Sequence, residues 1–68
     1  PASALTEEER GKAYVPMAQI PQASVLAIKK QAERLKANVS TRQIERAYAA
    51  ATMGASDVYI TAILTGKQ

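Results

Sequence analysis

A chain of 68 residues has room for one small domain, and with no Cys and no His it has neither a disulfide framework nor the usual zinc ligands to brace its core. Thiol chemistry, imidazole catalysis and haem ligation are excluded by the same two absences, and an aromatic content of 4%, three Tyr without Phe or Trp, leaves no stacking platform for single-stranded nucleic acid. The 47% hydrophobic content is rich in Ala, which favours helices, and the net charge of +3 is unevenly distributed along the chain.

Residues 1–5 have no periodicity and read as a flexible arm. Thr6-Glu7-Glu8-Glu9 has the form of a capping box opening a short helix, with its carboxylates where a helix N-terminus favours negative charge. Gly11 weakens that helix and Pro16 ends it. Between Lys12 and Pro21 the apolar residues Ala13, Val15, Met17 and Ile20 suggest an extended stretch. Two prolines that remove backbone donors argue against a central strand there.

Pro21 suits the first turn of the next helix, where its missing N–H is not needed. Val25, Ile28, Ala32 and Leu35 follow at helical spacing, and Asn38 is the expected stop. Ser40 and Gln43 form a second capping box. Behind it run Ile44, Ala47, Tyr48 and Ala51, with Ala49 to Ala51 small enough for close packing. Gly54 is a natural left-handed stop, and Ser56 caps a last helix bearing Tyr59, Ile60, Ile63 and Leu64 that Gly66 closes. The expected fold is therefore all-α: a single three- to four-helix domain over 1–68, with a helix-turn-helix at 40–66.

Charge adds a second pattern. From Lys29 to Arg46, six cations (Lys29, Lys30, Arg34, Lys36, Arg42, Arg46) face only Glu33 and Glu45, a local excess of four positives. Such a patch suits a phosphate backbone or an acidic protein surface. The plainer reading is a solvated helix face, since Lys29–Glu33 and Arg42–Glu45 have helical pair spacing. Glu7 to Glu9 do not read as a metal site, because adjacent residues on a helix point apart. Met17 and Met53 read as gap-fillers, and Tyr48 and Tyr59 as packed rings with surface hydroxyls.

The corner at Gly54 carries the most information. A small residue, Ala50, stands four positions before the glycine, where two helices must approach closely. Ala55 follows the turn, and Ile60 and Ile63 stand six and nine positions beyond the glycine to anchor the second helix. In this register the stretch from Ala50 to Lys67 resembles the helix-turn-helix domains of the lambda-repressor/Cro-like regulators. That resemblance implies a recognition helix from Ser56 to Leu64 entering the major groove of duplex DNA. By position, Ser56, Asp57, Val58, Thr61 and Thr65 would face the bases, with Ala62 near the surface. Arg42, Arg46 and Lys67 are the expected phosphate contacts.

These observations support two readings. The first is a small DNA-binding transcriptional regulator acting as a homodimer on paired half-sites, with Ala13, Val15, Met17 and Ile20 or the N-terminal arm as its dimer surface. The second is a helical module that docks on a protein partner such as transcription or replication machinery. The recognition-helix candidate lacks Arg, Lys, Asn and Gln, the side chains that make bidentate base contacts, which favours the second. Catalysis is not expected: no spacing supports a nucleophile and base, and so small a helical domain rarely encloses a ligand-sized cavity. No cofactor and no metal are expected. No apolar run reaches the roughly 18–20 residues of a membrane span, and no basic-then-apolar leader opens the chain, so the expected location is cytoplasmic.

Overall fold

A computed structural model describes residues 12–68. The expected arm at 1–5, the Thr6 capping box, Glu7 to Glu9 and Gly11 lie outside the described residues. The fold is all-α: a 3-10 turn at Met17–Gln19 leads into α1 (Gln22–Arg34), α2 (Thr41–Thr52) and α3 (Asp57–Leu64).

The segment from Ala13 to Ile20 is not the extended stretch that its apolar residues suggest. Pro16 caps the 3-10 turn, and Ile20 closes it by donating its N–H to the Met17 carbonyl at 3.1 Å. Two hydrogen bonds to a single residue, Glu45, help to strap the segment to α2. Val15 N–H meets the Glu45 carbonyl at 3.3 Å, and Met17 N–H meets Glu45 Oε2 at 2.8 Å. Val15, Met17 and Ile20 turn inward. Ile20 is buried with Val25 and Ile44, and the half-buried Val15 and Met17 pack against them, so these three residues contribute to this chain's own core. Met17 is thus a core filler, whereas Met53 is exposed at the C-cap of α2.

Pro21 stands at the N-cap of α1, one position ahead of its expected place, and α1 starts without a side-chain cap bond. Val25 and Ala32 are buried and Ile28 and Leu35 half-buried, as the spacing predicts. The helix ends four residues before the expected stop at Asn38. Lys36 takes the left-handed conformation (φ 55°), its N–H bonding the Glu33 carbonyl and that of Ala37 the Ala32 carbonyl, both at 2.9 Å. The pair is a Schellman closure, with Lys36 in the position usually held by Gly. Leu35 reaches the core from this end, which sets where the chain must turn.

The core has two lobes joined by α2. One lobe is Ala47, Ala50, Ile63 and Leu64, flanked by Leu35, Ala55, Tyr59 and Ile60. The other is Ile20, Val25 and Ile44, and Ile28 and Val39 touch both. Ala49 and Ala50 are buried, but Ala51 points to solvent, which corrects its place in the expected stripe. Ile60 is a half-buried flank, and Leu64 shares the anchoring role with Ile63. Each fully buried Ile or Leu contributes about 1.5–3 kcal/mol, so these two carry much of the packing of α3. The Tyr59 hydroxyl, expected at the surface, is buried and has no hydrogen-bond partner among the described residues, and its ring lies against the lobe that α3 closes.

Candidate nucleic-acid interface

The corner between α2 and α3 follows from three small residues. Gly54 has φ +79°, and a Cβ built there would meet nothing within 4 Å. Its requirement is therefore the backbone angle alone, which disfavours every L side chain. Gly54 N–H bonds the Ala51 carbonyl at 3.1 Å and Ala55 N–H bonds the Ala50 carbonyl at 3.0 Å, the two bonds of a Schellman closure. Ala50 itself lies in the core against Ile63 and Leu64, where a longer side chain would push the helices apart. Ser56 then caps α3, its Oγ accepting the Tyr59 N–H at 3.3 Å.

Gln43 closes the far end of the pair. Its Oε1 accepts the Ser40 N–H at 2.7 Å while its own N–H bonds Ser40 Oγ at 3.2 Å, completing the capping box. Its Nε2 remains free to donate, and it does so to the carbonyls of Ile63 (3.1 Å) and Leu64 (3.3 Å). One amide thus ties the first turn of α2 to the last turn of α3. This second role was readable in principle, because a capping box uses the oxygen of a Gln and leaves its NH2 over.

The site residues expected from the sequence fall into two groups. Ser56, Asp57 and Val58 lie at the exposed start of α3, beside the corner. Val58 is 81% exposed, the most open large apolar side chain among the described residues. Asp57 occupies the first turn, where the helix dipole favours a carboxylate. Thr61 and Ala62 are half-buried further along. Thr65 is exposed at the far end, with its hydroxyl donating to the Thr61 carbonyl at 2.8 Å.

Arg42, Arg46 and Lys67 belong to that far end, where Gln43 meets the end of α3. Arg42 stacks on Tyr14, its guanidinium carbon 3.9 Å from the ring centre, and its Nη1 lies 4.0 Å from Glu45 Oε1. Its side chain is still 59% exposed. Arg46 is more committed: half-buried, it donates from Nη1 to the Gln68 carbonyl at 3.0 Å, and its Nε is buried without a partner among the described residues. Lys67 is exposed, and its N–H bonds the Ala62 carbonyl at 2.8 Å in the closure around Gly66. Tyr14, whose ring carries Arg42, is the residue that sequence reasoning left out of this neighbourhood; the Arg42–Glu45 pair follows from its helical spacing.

Among the described residues no three His, Cys, Asp or Glu gather where they could hold a metal ion. No helix among them is long and apolar enough to cross a membrane. No protein-family model, curated protein or solved structure gives a significant match to this chain.

Proposed function

We propose that the protein is a small helix-turn-helix DNA-binding regulator that works as a dimer on paired half-sites. The observation that carries this reading is the asymmetry of α3: its rear, Ile63 and Leu64, is buried, while its first turn, Ser56, Asp57 and Val58, is presented to solvent beyond a glycine corner. An exposed helix start of this kind fits the major groove. Readout there rests on the Ser56 and Thr61 hydroxyls and on Val58 against thymine methyls, with Asp57 accepting from cytosine. Lys67 is the exposed cation of the motif that can reach phosphate without losing a contact; Arg42, 59% exposed, would first leave the Tyr14 ring, and Arg46 serves chiefly to hold the Gln68 carbonyl.

The test is duplex binding by fluorescence anisotropy over a range of salt, followed by selection from random duplexes. The expected outcome is affinity that falls steeply with salt, and a Thr61→Ala variant with altered sequence preference at little cost in overall affinity. Loss of retention on every duplex would overturn the reading. A second reading is favoured by one observation: Val58 and Met53, on either side of the corner in sequence, are both exposed apolar groups, and α3 has no basic residue. In that case the corner docks on a protein, binding varies little with salt, and Val58→Asp abolishes it.

A further inference from the structure

The structure divides the basic patch of the sequence into two parts with different fates. The α2 arginines are engaged within the fold: Arg42 on the Tyr14 ring and near Glu45, Arg46 on the Gln68 carbonyl. The cations of α1 are not. Lys30 and Arg34 lie on the side of α1 opposite Val25, Ile28, Ala32 and Leu35, Lys29 lies on its exposed flank, and Lys36 follows at its C-terminal turn. All four are exposed, and among the described residues none takes an ion pair or a side-chain hydrogen bond. Glu33 is the single acid on this face.

We infer that the outward face of α1, through Lys29, Lys30 and Arg34 with Lys36 beside them, is a sequence-blind contact surface for the phosphate backbone of duplex DNA. This inference rests on the DNA-binding reading above and adds to it a surface outside the two helices of the motif. Two physical arguments support it. A cation already stacked and hydrogen-bonded must give up those contacts to meet a phosphate, whereas the α1 cations exchange only water and counterions. Flexible exposed lysines also act as point charges that tolerate any backbone register, which suits contacts that position without specifying. Self-pairing of α1 is disfavoured, because two such faces would set like charges against each other. Leu26, half-exposed on the same face, is the feature that an acidic protein partner would use instead.

The experiment compares the full chain with a Lys29→Gln/Lys30→Gln/Arg34→Gln variant. Gln is a helix former close to Lys and Arg, so α1 is retained, and far-UV circular dichroism checks this. Affinity for a random-sequence duplex is measured across salt concentrations. The expected result is a slope of log affinity against log salt that is shallower by roughly 2–3, at about 0.9 for each phosphate no longer neutralised, with sequence preference unchanged. A charge-keeping variant, Lys29→Arg/Lys30→Arg/Arg34→Lys, should hold the original slope. If the full chain binds duplex with a steep slope and the Gln variant matches it, the α1 surface is overturned and the DNA-binding reading stands. If the full chain retains no duplex at low salt, both fall. If Gln substitution abolishes capture of an acidic peptide but leaves duplex affinity intact, the face belongs to a protein partner and the inference is overturned.

Discussion

Lys36 and Gly54 occupy the same position in two helix endings and differ only in side chain. Both have left-handed φ, 55° and 79°, and both donate the second bond of a Schellman closure. An L residue in that conformation costs about 1–2 kcal/mol, partly offset by its lower entropy when unfolded. Lys36→Gly is therefore expected to stabilise the fold by about 0.5–1 kcal/mol, raising Tm by a few degrees in a thermal melt. Gly54→Val should lower stability by about 1–2 kcal/mol through backbone angle alone, since a Cβ has space there. An unchanged melt would mean that the corner relaxes at no cost. Tyr59 offers a third test at this scale. Its buried hydroxyl has no partner among the described residues, so Tyr59→Phe should be neutral or stabilising by up to about 1 kcal/mol in urea denaturation.

The helices differ in how firmly their ends are tied. α1 begins at Pro21 with no side-chain cap, whereas α2 begins with a complete capping box whose Gln also reaches α3. Removing the Gln43 amide breaks both ends of that link. Gln43→Ala is expected to cost about 1–3 kcal/mol, and Ser40→Ala only about 1 kcal/mol, because Ser40 contributes to the cap alone. Amide exchange should separate them: Gln43→Ala speeds exchange in α3, and Ser40→Ala does so only in the first turn of α2. The α2 cap is legible in the sequence, since Ser-x-x-Gln is a local pattern read from residues three apart. The 21-residue reach from Gln43 to Leu64 has no local signature. The same holds for Glu45: its spacing to Arg42 marks the pair that forms at 4.0 Å, whereas the Met17 N–H received by its other carboxylate oxygen has no local signature.

At the scale of the whole molecule, the core is made largely of Ala, Ile, Val and Leu, with no buried charged residue among those described. A domain of this length has a total stability of about 3–10 kcal/mol. Leu64→Ala, in one of the two largest fully buried side chains, should cost about 2–5 kcal/mol, a large share of that total, visible as a much lower urea midpoint. A substitution of the exposed Val58 should leave stability unchanged, so stability and binding can be separated on the same helix.

By itself the amino-acid order determined the helices, their caps at Ser40 and Ser56, the left-handed turns at Gly54 and Gly66, and the inward stripe of α1. Each of these is written within one or two turns of chain, where apolar spacing and capping act. Tertiary structure alone decided that the Ala13 to Ile20 segment closes this chain's own core, that Arg46 braces the C-terminal end while the α1 lysines stay free, and that the Tyr59 hydroxyl is covered. The reason is common to all three. Whether a side chain is committed to the fold or left for a partner depends on what distant residues are brought against it, and that information is held in packing, not in spacing.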